Sequence, residues 1–179
     1  MPNVQRNFEA ELSFAQVVVP VTIDSVPTFV PASSESANPQ VADPQVEGTA
    51  KLHFNSDFSA LIVEVDVKGD LTGDKAIAQV HLHIGPAGIG GPRVANVFPN
   101  TKAVFELKAS KNKLHFEVKT ELDTSDVIAR DDENLGLVTN NIASLYNALR
   151  INNLYVDLHG VVNGVYTRGI LRAQIYLGD

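Results

Sequence analysis

Apolar and polar side chains alternate along most of the chain, and this alternation limits the possible folds more than any other feature. From Leu61 to Val67 every second residue is leucine or valine, and two of the three residues between them are acidic. Such a period of two is typical of a strand with one buried face, because successive side chains point to opposite sides. Segments 50–54, 105–108 and 114–119 repeat the pattern, with turn-forming residues between them. The sequence therefore predicts an all-β fold, an antiparallel Greek-key-like β-sandwich or flattened barrel.

Residues 141–151 depart from this alternation and have the period of a helix. Four apolar residues are spaced i, i+3, i+4 and i+7: Ile142, Leu145, Tyr146 and Leu149. Asn140 or Asn141 can cap the first turn, and Asn152 and Asn153 can end the helix, because asparagine tolerates the left-handed conformation found there. We therefore predict one short helix that covers an end of the sheet.

Residues 24–47 contain four prolines among small polar residues, with four acidic residues and no basic one. This composition predicts an irregular insertion within a single domain that spans residues 1–179, a length usual for one domain. The valine-rich run 17–23 precedes the insertion. The burial preference of valine favours a core strand for this run. The alternative is that the run and the insertion contact a second copy of the chain at an open sheet edge.

Composition and charge exclude several classes of site and partner. The chain has no cysteine, which excludes disulfides, thiolate metal sites and a cysteine nucleophile, and leaves five histidines and the carboxylates as metal ligands. The formal net charge is −7, without a basic patch, so we expect no nucleic-acid partner. No apolar run has the roughly 18 residues that a membrane-spanning helix needs. Residues 1–30 also lack the pattern of a signal peptide.

Two histidine-containing segments are the best candidates for a functional site. Strand alternation places Gln79, His81 and His83 on one face, and it places Asp157 and His159 together on another strand. If the two strands pair, the three histidines can bind one metal ion, Cu or Zn, with Asp157 and Gln79 around the ligands. The more economical interpretation is a structural network, in which the histidines donate hydrogen bonds to carbonyls of the glycine-rich segment 85–91.

The remaining residues do not form a catalytic set. The glycine-rich segment lacks the Lys-Ser/Thr pair of a phosphate-binding loop, and no Gly-x-Ser-x-Gly motif is present. His53 and His115 lie singly among charged residues, which is typical of ordinary surface. We therefore predict that the protein is not an enzyme. A weaker alternative is a small-molecule or glycan site at which three aromatic residues stack on a sugar: Tyr146, Tyr155 and Tyr166.

Several segments, in the right order from about residue 8 to residue 177, resemble the CHRD domain, which is named after chordin. The segments that carry the resemblance are 8–13 with 15–21, 81–88, 148–159 and 171–175. The chain departs from the family at Val17, where the family has Glu-Val-Pro-Pro and this chain has Val-Val-Val-Pro, and at Ile170, where the family has glutamate. The segments that contain the three candidate histidines match well.

The resemblance implies an exported or surface-associated all-β module, extracellular or at a cell or spore surface. It places Arg172 in the final strand motif, and we count this residue with Asp157 and Gln79 among those expected around the candidate ligands. The leading hypothesis is a non-enzymatic module that acts in binding or assembly, with self-association or a surface partner protein. The alternatives are the metal-binding protein and the glycan-binding or small-molecule-binding module.

Overall fold

The computed structural model of the protein describes residues 4–23, 25–31, 46–70, 76–110, 113–133, 136–162 and 165–177. These residues form strands joined by short turns, with one α-helix, α1 (Ile142–Arg150). In chain order the strands are β1 (Asn7–Leu12), β2 (Val18–Ile23), β3 (Val26–Pro31), β4 (Val46–Phe54), β5 (Ala60–Asp70), β6 (Ala76–Ile84), β7 (Arg93–Phe98), β8 (Val104–Ser110), β9 (Lys113–Asp123), β10 (Arg130–Asp132), β11 (Leu137–Thr139), β12 (Leu154–Val162) and β13 (Val165–Ile175).

Two antiparallel sheets make up the body of the molecule. The larger sheet has the strand order β1-β4-β5-β9-β8, and the smaller has the order β13-β12-β6-β7. Two further pairs, β2 with β3 and β10 with β11, form separate two-stranded sheets. Each large sheet contains two pairs of consecutive strands, β4–β5 and β8–β9 in the larger sheet and β6–β7 and β12–β13 in the smaller. The chain crosses from one sheet to the other between these pairs. The predicted antiparallel sandwich is confirmed, and its sheets are open and do not close into a barrel.

Apolar side chains from both sheets form one core, as the alternation predicts. In β5, each odd-numbered residue from Leu61 to Val67 is at most 2% exposed. In β6 of the other sheet, Val80, Leu82 and Ile84 are fully buried. All of these residues belong to one continuous hydrophobic cluster. The opposite face of β6 carries the histidines, so the core determines where the candidate site lies.

Helix α1 has the predicted position and caps. The Asn141 side chain accepts a hydrogen bond from the Ser144 backbone N–H at 2.8 Å, and the Ser144 side chain pairs with the Asn141 backbone in return. The chain leaves the helix through Asn152, whose φ of 59° is left-handed. Buried side chains along one face of the helix, such as Leu145, join the core. Within the described residues, no helix is long and apolar enough to cross a membrane.

Part of the predicted irregular insertion is a regular strand, so that prediction was wrong for residues 26–31. Strand β3 pairs with β2, with Thr22 opposite Pro27 and Val18 opposite Pro31. Proline is tolerated here because each strand of a two-stranded sheet has one open edge, where a missing N–H breaks no ladder bond. Val46 and Glu47, at the other end of the predicted insertion, begin β4. Residues 32–45 lie outside the described residues.

Strand β8 was predicted to bury one face, and the structure corrects this. Phe105 and Leu107 are 56% and 55% exposed, and Val104 is 75% exposed. The alternation is present, but β8 is the last strand of the larger sheet. A strand at a sheet edge has a neighbour on one side only, so its apolar side chains are covered less than those of a central strand.

Candidate metal centre

The two histidine-containing strands pair, which is the condition that the metal-site hypothesis required. Strands β6 and β12 are antiparallel neighbours, with Asp157 opposite His81 and Tyr155 opposite His83. In the same register, His159 lies opposite Gln79. Residues directly opposite each other in an antiparallel pair project to the same side of the sheet. All these side chains therefore share the face of the smaller sheet that points away from the core.

The three histidine rings lie close together on this face. The ring of His159 is 4.9 Å from that of His81 and 5.9 Å from that of His83, measured between centroids. One ring nitrogen from each residue lies within 4.8 Å of the other two. Tetrahedral ligand nitrogens at a usual zinc distance are about 3.3 Å apart. The three nitrogens are therefore near the spacing that one zinc ion requires.

The polar face is buried, which strand alternation alone does not indicate. His81 and His159 are 5% and 8% exposed, although they do not point into the hydrophobic core. The glycine-rich loop of residues 85–92 covers one end of this face. On the other side, the segment that precedes β2 reaches the face, and the side chains of Val17 and Asp157 both lie beside Gly169. The histidines are therefore shielded from most solvent.

His83 is held in one tautomer. Its Nδ1 lies 2.9 Å from the carbonyl oxygen of Gly91. Because a carbonyl oxygen can only accept, Nδ1 must carry the hydrogen, and the lone pair of the neutral ring is on Nε2. Nε2 is buried and has no hydrogen-bond partner within the described part of the chain. A ring with one nitrogen bonded to a carbonyl and the other free to donate its lone pair is the usual arrangement of a metal-binding histidine.

Burial also keeps the histidines neutral. Together with the neighbouring imidazoles of His159 and His83, it lowers the pKa of His81 from 6.5 to about 3. Burial lowers the pKa of His83 to about 4, although the bond to the Gly91 carbonyl opposes the shift. At neutral pH both rings therefore present lone pairs rather than positive charge, which is the protonation state that a metal ligand requires.

Asp157 is the acidic group of the site. Its Oδ2 lies 3.7 Å from Nε2 of His159, too far for a hydrogen bond. Its Oδ1 is buried and has no hydrogen-bond partner among the described residues. Burial raises the carboxyl pKa to about 8, against the opposing effects of Arg172 and the Leu158 backbone. Without a cation at the site, Asp157 is therefore mainly protonated at neutral pH.

Arg172 was expected beside the candidate ligands, and the structure places it one strand away, where it holds the covering loop. Its guanidinium donates to the carbonyl oxygens of Ile89 and Pro86, each at 2.9 Å, and to the side chain of Gln174 at 2.7 Å. It also lies 3.6 Å above the ring of Tyr155. Arg172 thus acts on the histidines through the loop that supplies the Gly91 carbonyl.

Gln174 and Tyr155 complete this attachment of the loop. The Gln174 side chain donates to the carbonyl oxygens of Gly85, Asn152 and Leu154. The Tyr155 hydroxyl accepts a hydrogen bond from the Gly91 N–H at 2.9 Å. Gly91 itself must lack a side chain, because an added Cβ would lie 1.7 Å from the Ile84 carbonyl oxygen. The position of the carbonyl that orients His83 is therefore determined from several sides.

We expect Arg172→Lys to lower the free energy of unfolding by about 2 kcal/mol, because an ammonium group cannot reach all three acceptors of the guanidinium. Arg150→Lys, at an exposed position on α1, should change it by less than about 0.5 kcal/mol. Urea unfolding measures both. Equal effects of the two substitutions would show that Arg172 does not hold the loop.

The other two histidines, His53 and His115, lie on strands of the larger sheet, away from the cluster. His53 is exposed, as predicted, and its ring contacts the side chain of Asn7. His115 was predicted to be ordinary surface, but its Nε2 lies 2.9 Å from Glu117 and 3.1 Å from Asp66. These three residues form a second group with ligand spacing, on the solvent face of the larger sheet. They are partly exposed and paired with one another, so the second group carries no functional assignment.

Two of the three tyrosines named for a sugar site, Tyr155 and Tyr146, have rings that pack against other side chains. Tyr155 is 2% exposed, with the ring of His83 stacked 5.1 Å away and the Arg172 guanidinium 3.6 Å from its ring centre. Tyr146 packs against Phe58 and Phe54, at centroid distances of 4.4 and 5.3 Å. The side chain of Tyr166 lies outside the described residues. Both described rings contact other side chains, and the glycan-binding alternative stays a prediction.

Sequence reasoning missed other members of the site. Asn96 of β7 lies opposite His81, and its Oδ1 is buried without a hydrogen-bond partner within the described residues. Gln174 is 2% exposed and belongs to the same buried network as Arg172. The one signal in the sequence was the density of glycine and proline after His83, since such a loop offers many unpaired carbonyls.

The chain was also compared with models of protein families, with curated proteins and with solved structures, and it matches none of them.

Proposed function

We propose that this protein binds a divalent transition-metal ion, Zn(II) or Cu(II), through His81, His83 and His159. The observation that carries the proposal is the state of His83. Its Nδ1 donates to the Gly91 carbonyl, while the lone pair on Nε2 points into a buried site that has no protein hydrogen-bond donor for it among the described residues. An unpaired buried nitrogen is costly in a structural network, whereas metal coordination satisfies it.

The types of ligand favour zinc or copper over other ions. Imidazole nitrogen binds both metals well, whereas calcium and magnesium require oxygen ligands. Three imidazoles leave at least one coordination position open, and a carboxylate lies beside the cluster in Asp157. A bound dication favours the ionised form of that carboxyl. Asp157 would then balance part of the ion's charge, either directly or through a water molecule.

The proposal is tested by calorimetric titration of metal-free protein with Zn(II) and, separately, with Cu(II). We expect one ion per chain and, at pH 7, the release of about one proton, because the pKa of Asp157 is about 8 while both His81 and His83 are already neutral. Titrations in buffers with different heats of ionisation measure the protons released.

The control for the titration is Asp157→Asn, which should still bind the ion but release almost no proton. A wild-type protein that binds neither metal, or that binds equally well after His83→Gln, contradicts the proposed function. Proton release that persists in Asp157→Asn would contradict only the role of the carboxyl.

The second candidate function is assembly, as a non-enzymatic module of the CHRD type at a cell or spore surface. The CHRD-like segments described above support this setting. The observation that favours assembly is a pair of exposed apolar side chains on one face of the edge strand β8, Phe105 and Leu107. Clustered exposed apolar residues are more typical of a surface that contacts a partner than of free surface. Metal binding and assembly involve opposite sheets and are compatible.

A further inference from the structure

The outer edge of strand β8 combines exposed apolar residues with an ordered pair of charges. Beyond the exposed Phe105 and Leu107, the strand carries Glu106 and Lys108, whose side chains are 54% and 64% exposed. Within one chain these two groups lie 2.9 Å apart. Among the described residues, β8 has one β-strand neighbour, β9, and its other side is the end of the sheet.

The order of these residues makes β8 complementary to a second, antiparallel copy of itself. If two copies of β8 pair antiparallel about a two-fold axis at Leu107, each Glu106 lies opposite Lys108 of the second copy. The same register places Leu107 opposite its counterpart. Opposite charges and apolar groups that face each other directly across antiparallel strands are both stabilising.

Neighbouring registers do not have this property. A shift of one residue places Glu106 opposite Leu107 and places Phe105 opposite Lys108. A shift of two residues places Glu106 opposite Glu106 in one direction and Lys108 opposite Lys108 in the other. Like charges that face each other across strands are destabilising. The charge pattern therefore selects one register of self-pairing.

We propose that β8 is a homodimer interface, at which the larger sheets of two copies join edge to edge into one continuous sheet through the register centred on Leu107. The proposal rests on the second candidate function and names its partner, a second copy of this chain. It does not depend on the metal site, because the histidine cluster lies on the other sheet.

Charge reversal tests the register directly. In Glu106→Lys every facing pair becomes Lys opposite Lys, and in Lys108→Glu every pair becomes Glu opposite Glu. Each variant alone should therefore dimerise at least about tenfold more weakly than wild type. In a mixture of the two variants, each lysine faces a glutamate again, so a heterodimer should form with nearly wild-type affinity. The double variant E106K/K108E should recover as well.

Sedimentation velocity over a wide concentration range measures association of all four proteins and of the mixture. Circular dichroism and zinc titration verify that the fold and the histidine site are unchanged in each variant. A monomeric wild type at every concentration overturns the proposal. Failure of the mixed variants to associate also overturns it, since loss of association without complementation shows that Glu106 and Lys108 do not face each other. Neither outcome bears on metal binding.

Discussion

Saturation with zinc should raise the melting temperature of the protein by about 10 °C. A ligand that binds only the folded state adds about 4 kcal/mol when its free concentration is a thousand times its dissociation constant. For a domain of this length, each kcal/mol corresponds to about 2–4 °C. The shift is expected because the unfolded chain does not hold His81, His83 and His159 together, whereas the folded protein brings their nitrogens within 4.8 Å.

Two substitutions test whether the shift in melting temperature comes from the histidine cluster. His83→Gln should remove most of the shift, because glutamine supplies no imidazole nitrogen to bind the ion. His53→Gln changes an exposed histidine on the other sheet and should leave the shift intact. Differential scanning fluorimetry with and without a chelator measures all three proteins. If His53→Gln abolishes the shift as fully as His83→Gln does, the stabilisation comes from surface binding.

In the metal-free protein, the titration of His81, His83 and Asp157 should together make the free energy of unfolding largest near pH 6.5. The pKa values of His81 and His83 are lowered from 6.5 to about 3 and about 4, so the unfolded chain takes up two protons on acidification that the folded protein excludes. Their contribution is fully present above pH 6.5 and is lost as the pH falls through the folded-state values.

Asp157 changes the free energy of unfolding with pH in the opposite direction. Its folded-state pKa is raised from 3.8 to about 8, so its contribution is present below pH 3.8 and is lost as the pH rises through 8. Between pH 4 and 6.5 the two imidazoles outweigh the single carboxyl, and stability should fall on acidification by about 1.4 kcal/mol per pH unit. Between pH 6.5 and 8 the carboxyl acts alone, and stability should fall by a similar amount as the pH rises.

Asp157→Asn isolates the carboxyl from every other titrating group. The variant cannot ionise at this position, so it should be more stable than wild type at pH 8 by about 2 kcal/mol, a value reduced from the full pKa effect because the new amide donors need partners. The advantage should shrink as the pH falls toward 4. Urea unfolding with a chelator at several pH values measures the difference. A variant that is equally destabilised at every pH would contradict the protonation of Asp157 in the folded protein.

Strands β5, β6 and β9, the helix α1 and the shared face of His81 and His83 could be predicted because each depends on local spacing. A period of two assigns His81 and His83 to one face whatever surrounds them, and a period near 3.6 identifies α1. Only the pairing of β6 with β12 had to be assumed, and the structure confirms it. Whether a metal ion binds there stays a prediction.

Burial could not be predicted, because it depends on which segments lie over a sheet face and on where a strand lies in its sheet. The resemblance of the final strand motif singles out Arg172, but the loop carbonyls that it binds are contributed by residues more than 80 positions earlier in the chain. Strand alternation marks Phe105 as buried, although β8 is an edge strand with few neighbours. Strand β3 was missed because its prolines exclude a central strand and not an edge strand.

The most direct test of the central claim is the metal content of the protein after purification from medium supplied with zinc and copper, followed by extensive dialysis. Elemental analysis should find about one equivalent of zinc or copper per chain in wild type and in His53→Gln, and almost none in His83→Gln. A wild-type protein that contains neither metal, and that remains metal-free after incubation with each ion and renewed dialysis, would contradict the account and leave the histidines as a purely structural network.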